Sequence, residues 1–119
     1  MILKETMLHV SDNCGINLVK CFHIYQLKKR KYSKIKKFIK VSYRSTTKSL
    51  SKLIGKKSKG FFYKSKYFFS KIDGSCFFFS SNNCVLTKKR LYPRGKISKG
   101  CILYNIKRRK LLNSFSYTL

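Results

Sequence analysis

Carboxylates, imidazoles and thiols carry most protein chemistry, and this sequence has few of them in useful arrangements. The acids are Glu5, Asp12 and Asp73. A paired-carboxylate acid/base site, a two-metal site or a calcium loop would consume nearly the whole stock, and no two of the three share a motif. The five cysteines, at 14, 21, 76, 84 and 101, form no C-x-x-C pair and are odd in number, which indicates neither a complete disulfide framework nor a zinc ribbon. His9, Cys14, Cys21 and His23 form the one metal-ligand constellation worth weighing. Their spacing, H-x4-C-x6-C-x-H, fits no finger template, and Cys21 and His23 fall on one face of an expected strand, where cysteine serves as a small buried hydrophobe. A Cys-His nucleophile would lack a third group to orient its base, and no phosphate loop is present. The sequence thus predicts no catalytic residue, metal, cofactor or small-molecule substrate.

Cations are abundant instead. Lys and Arg total 29 against 3 acids, a formal charge of +26 on 119 residues. An apolar content of 43%, with 8 Tyr and 10 Phe, is too high for a disordered basic tail, yet such charge opposes compaction unless a polyanion is part of the native environment. The charges fall in four patches. Lys28, Lys29, Arg30, Lys31, Lys34, Lys36 and Lys37 surround Tyr32, which is placed to stack on a base or sugar. Lys48, Lys52, Lys56, Lys57 and Lys59 form the second, Lys88, Lys89, Arg90 and Arg94 the third, and Lys107, Arg108, Arg109 and Lys110 the fourth. Lys outnumbers Arg by 23 to 6, which favours point-charge attraction to phosphate over bidentate base reading.

The elements that must position these charges are mostly strands. Residues 18–27 are rich in β-branched and aromatic side chains, with Val19, Cys21, His23, Tyr25 and Leu27 expected on one face. Residues 38–44 alternate, with Ile39, Val41 and Tyr43 inward and Lys40, Ser42 and Arg44 outward. Further strands are expected at 7–10, 60–69, 76–79, 84–88 and 112–117, a spacing that suits a small barrel or sandwich. Asp12-Asn13-Cys14-Gly15 and Asp73-Gly74 have turn chemistry, so Asp12, Asn13, Gly15, Asp73 and Gly74 are assigned structural roles. Residues 45–59, rich in Ser, Thr and Lys, are expected to form a long exposed loop or ribbon, and 101–110 a helix. The apolar runs are far shorter than a membrane span, and residues 1–27 contain no signal or transit pattern. The aromatic runs 61–63, 67–69 and 77–79 cannot all be buried in a barrel with one wet face; beside a purely core role, a protein neighbour or RNA bases would cover the remainder.

The ordered set of motifs resembles the large-subunit ribosomal protein fourteen family. The match runs through Met1-Ile2, Thr6, Leu8, Val10, Asp12-Asn13, Gly15, Cys21, Arg30-Lys31-Tyr32 with Ile35, Val41-Ser42, Lys59-Gly60, Asp73-Gly74-Ser75, Phe79, Asn82, Val85-Leu86, Pro93-Arg94-Gly95 and Gly100. The resemblance implies a mainly β fold: a five-stranded β-barrel with a projecting ribbon or loop and a short C-terminal helix. The 119 residues would form a single domain, the barrel at about 1–90 and the remainder at about 91–119. It further implies a non-enzymatic place in the large ribosomal subunit, on large-subunit rRNA at the subunit interface, beside large-subunit proteins three and nineteen. Protein nineteen is then the favoured cover for the aromatic runs.

The first three patches become the rRNA contact, with Lys40 and Arg44 added. Arg44, Lys48, Lys96, Lys99, Lys107, Arg108 and Arg109 become candidates for an intersubunit bridge to small-subunit rRNA. The family's Gly-Thr-Arg-Ile-x-Gly-Pro segment, associated with ribosome silencing factor binding, departs here to Gly95-Lys96-Ile97-Ser98-Lys99-Gly100-Cys101, leaving Lys96 and Lys99 as its point charges. Family acids are likewise replaced by Ser80, Ser81, Asn105 and Arg108. The lack of Ala and Trp and the Lys excess fit an A+T-rich organelle genome, with a mitochondrion the expected host and a plastid the alternative. The rival to this reading is a free-standing cationic protein that binds and compacts nucleic acid.

Overall fold

The computed structural model describes residues 1–25, 32–88, 90–103, 111 and 113–118. Five strands close a barrel in the order β1 (Met7–Val10), β2 (Ile16–Ile24), β3 (Lys37–Thr46), β4 (Lys57–Lys64) and β7 (Asn83–Thr87). All neighbours are antiparallel except β1 and β7, which close the barrel in parallel through His9 opposite Asn83 and Val10 opposite Cys84. That seam is reinforced by Asn83 Nδ2 donating to Ser11 Oγ at 2.8 Å and by the Ser11 N–H donating to the Cys84 carbonyl at 3.2 Å. Closure leaves no open edge on these five strands. Leu8, Val19, Cys21, Ile39, Val41, Phe62, Cys84 and Leu86 fill the interior, and Gly60 faces Ile39 and Val41 across it.

Two smaller sheets stand outside. β5 (Phe69–Ser70) and β6 (Cys76–Phe77) form a hairpin turned at Asp73-Gly74, where Asp73 Oδ1 accepts from the Ser75 N–H and hydroxyl and Gly74 takes φ +84°. β8 (Ser98–Ile102) and β9 (Phe115–Thr118) pair in parallel and cover one side of the barrel. Tyr63 shows this cover: its ring meets Phe115 at 4.9 Å, and its hydroxyl donates to the Lys99 carbonyl at 3.3 Å.

Several expectations change. Cys21 and His23 do not share a face. A bulge between them shifts the β2 register against β3, so Cys21 and Ile24 point inward while His23 is exposed. Phe61, Phe62 and Tyr63 are all buried, because packing from outside covers the face that alternation turns outward. The exposed interval 45–59 is mostly absorbed: β3 runs on to Thr46, a 3-10 segment spans Lys48–Leu53, and β4 starts at Lys57. The short ribbon is β5–β6 instead, since residues 65–68 leave the expected 60–69 strand. Cys101 and Ile102 belong to strand β8 and not to a helix, and 104–110 lie outside the described residues.

Burial distinguishes the thiols. It pushes Cys21 up to about 11 and Cys84 well above its ordinary value, while Cys76 is exposed on the hairpin. At pH 8, iodoacetamide should label Cys76 within minutes and leave Cys21 and Cys84 protected until denaturant is added, read by peptide mass mapping. Equal labelling of Cys84 and Cys76 in the native protein would contradict a closed barrel.

Candidate nucleic-acid interface

The cations are arranged by the register of β3 and β4. On the outward face Lys40 stands opposite Lys59, and Ser42 opposite Lys57, with His23 and Lys20 of β2 completing these two rows. Alternation along β3 turns Lys40 and Arg44 to solvent while Ile39, Val41 and Tyr43 enter the core, as expected from the sequence. Past Arg44, the connection to β4 adds the exposed Lys48, Lys52 and Lys56. The end of β7 returns to the same pole of the barrel, since Thr87 pairs with Lys59 and bridges to Pro93, and it brings the exposed Lys88, Arg90 and Arg94 there. Lys34, Lys36 and Lys37, with half-buried Tyr32, lie at the opposite pole, where β3 begins. The second and third patches thus converge, and Lys40 and Lys59 connect them to what is described of the first. Lys28, Lys29, Arg30, Lys31, Lys89, Lys107, Arg108, Arg109 and Lys110 lie outside the described residues.

Almost nothing neutralises this face. Among the described residues the one salt bridge joins Lys20 to Glu5. Asp12 is buried and Asp73 sits at the hairpin turn. Aromatic rings take the place of counterions: the Lys59 ammonium lies 4.9 Å from the Tyr25 ring and 5.2 Å from Phe38, Lys40 lies 5.7 Å from Tyr25, and Lys57 lies 5.4 Å from Phe22. Arg94 is held differently, its Nη1 donating to Tyr43 Oη at 2.7 Å. That contact orients the guanidinium at the rim of the barrel.

Lys96 and Lys99 are positioned by Asp12 and Asn13. Asp12 Oδ2 accepts from the Gly95 N–H at 3.2 Å, and Asp12 Oδ1 accepts from the Cys14 thiol at 3.2 Å. The Asn13 N–H donates to the Ile97 carbonyl at 3.1 Å, while the Ile97 N–H returns a bond to Asn13 Oδ1 at 3.3 Å. Gly95 is needed for this approach, since a Cβ there would lie 2.9 Å from the Asn13 nitrogen and 2.8 Å from Asp12 Cβ. The segment is therefore clamped, with Lys96, Ile97 and Lys99 exposed. Burial raises the Asp12 carboxyl above its usual range and pushes the Cys14 thiol up to about 11, so the thiol stays protonated and able to donate. Turn chemistry at Asp12-Asn13 was legible in the sequence, but its reach across more than eighty residues carried no local signal.

The other metal-ligand candidates are dispersed. His9 and His23 face outward while Cys21 faces the core, and among the described residues no three His, Cys, Asp or Glu side chains gather.

Replacing Asp12 by Ala orphans the buried Gly95 N–H. This should cost about 1–3 kcal/mol in chemical denaturation and speed amide exchange at Gly95 and Ile97 while β3 amides stay protected. Unchanged exchange at both amides would contradict the clamp.

Comparison with known proteins agrees with this architecture. The family described as ribosomal protein L14p/L23e matches residues 1–118. The large ribosomal subunit protein uL14m of Tetrahymena pyriformis is 42% identical over 117 residues, which cover 97% of either chain. A family match over nearly the whole chain and a relative at this identity establish membership: the chain belongs to the ribosomal protein L14p/L23e family and is a structural ribosomal protein, not an enzyme.

Proposed function

We infer that the chain is a structural constituent of the mitochondrial large ribosomal subunit and that it works by binding large-subunit rRNA at the subunit interface. Its likeness to uL14m supports the compartment and the particle. The observation that carries the binding reading is the uncompensated cationic face of β3 and β4, where Lys40, Arg44, Lys57 and Lys59 have no carboxylate partner among the described residues. Phosphates are the counterions that such a face lacks, and lysine ammoniums meet them without needing a fixed base geometry. Lys34, Lys36, Lys37, Lys48, Lys52, Lys56, Lys88, Arg90 and Arg94 extend the contact toward the two poles of the barrel.

An intersubunit bridge to small-subunit rRNA is assigned to Arg44, Lys48, Lys96 and Lys99. The clamp from Asp12 and Asn13 supports it, because a loop held at both Gly95 and Ile97 presents Lys96 and Lys99 at a fixed place. Large-subunit proteins three and nineteen are the proposed protein neighbours. The β5–β6 hairpin is the surface offered to protein nineteen, with Tyr67, Phe68 and Phe78 each more than half exposed and Ile72 fully so. Synthesis within the organelle is the reading of the Lys-rich, Ala-free composition.

Sedimentation of a mitochondrial lysate through a high-salt gradient tests the assignment. Co-migration with the large subunit is expected, while release to the top or migration with DNA would favour a free cationic binder. For the purified chain on a large-subunit rRNA fragment, neutralising six to ten phosphates should give a slope of log affinity against log salt of about −5 to −9. A slope near −1 would contradict binding dominated by the lysine face.

A further inference from the structure

The outward surface of β2, β3 and β4 carries rings that phosphate attraction alone does not need. Phe22, Tyr25 and Phe38 are half-buried there, His23 is exposed, and His23 meets Tyr25 edge-on at 5.3 Å. The solvent face of an antiparallel sheet ordinarily presents polar side chains. Here rings alternate with lysines, and Tyr25 has two ammoniums within 6 Å of its centre, those of Lys40 and Lys59. We propose that this face is a stacking platform for unpaired RNA, with a base on Tyr25 and its flanking phosphates on Lys40 and Lys59.

This inference rests on the rRNA-binding reading above and narrows it from phosphate attraction in general to recognition of single-stranded nucleotides. Bases in an RNA duplex are stacked on one another and cannot reach a side-chain ring, whereas bases in loops and bulges can. The Lys40 and Lys59 ammoniums lie over the Tyr25 ring, so a base that stacks there displaces them from the ring face, and they stay within reach of its flanking phosphates. The bulge between Cys21 and His23 contributes directly. It shifts the alternation so that Ile24 enters the core and the following Tyr25 stands beside Lys40 and Lys59. The alternative of a purely structural cluster, in which the rings only shield the lysines from one another, makes no distinction between RNA forms.

Binding of the full-length chain to a fluorescently labelled ten-nucleotide oligouridylate and to a ten-base-pair RNA duplex, at one salt concentration, separates these accounts. Tyr25→Leu should weaken oligouridylate binding roughly 5- to 150-fold, the range of one lost base stack, and change duplex binding less than about twofold. Tyr25→Phe should keep single-strand affinity, and Lys59→Met should weaken both ligands. Phe22→Leu, expected to act in the same direction as Tyr25→Leu, decides the matter if Tyr25→Leu does not fold. Equal effects of the leucine variants on both ligands, or none on oligouridylate, would overturn the stacking platform while leaving rRNA binding intact. Failure of the unaltered chain to bind either RNA would instead overturn the rRNA reading itself, and the platform with it.

Discussion

Positive charge that the chain cannot neutralise is the constraint on which the rest depends. At a net charge of +26, a folded chain must keep its cations on the outside, well solvated, and draw its cohesion from apolar packing and strand pairing. A closed barrel answers that requirement. The fully buried positions of β3, Ile39, Val41 and Tyr43, are apolar or aromatic, every barrel strand has two partners, and the parallel seam between β1 and β7 is held by neutral hydrogen bonds through Ser11 and Asn83. None of these contacts is lost when the surface charge changes. The three acids serve local purposes: Glu5 pairs with Lys20, Asp12 fixes the 95–97 segment, and Asp73 closes a hairpin turn.

The function follows from what the fold leaves unfinished. Cations clustered within a screening length of about 8–10 Å repel one another unless an anion lies between them. Rings beneath Lys40, Lys57 and Lys59 relieve part of that repulsion, but they supply no negative charge. A phosphate backbone does. In a member of the L14p/L23e family, with a mitochondrial large-subunit relative covering nearly all of its length, rRNA is the polyanion we propose for this face.

Much of the barrel was legible in the sequence because strands announce themselves locally. Alternation over 38–44 identified the inward Ile39, Val41 and Tyr43 and the outward Lys40 and Arg44, and β-branched and aromatic runs located β1, β2 and β7. The errors arose where distant contacts decide. A bulge shifted the phase of β2 at His23, which alternation alone cannot register. Tyr63 is covered by β8 and β9, more than thirty residues downstream, so a triple aromatic run could be buried after all. The individual cations of the site were readable as patches. Their convergence, the rings interleaved with them and the clamp from Asp12 depend on register and on contacts of long sequence separation, for which composition gives no signal.

Thermal unfolding of the purified chain, followed against salt and against added rRNA fragment, tests most directly whether the missing anion governs this protein. If it does, the midpoint should rise from 20 mM to 500 mM salt as repulsion is screened, and at low salt the rRNA fragment should raise it further than an equal concentration of an uncharged polymer. A midpoint indifferent to both salt and RNA would contradict the account, since the barrel would then carry its charge without strain and without need of a polyanion.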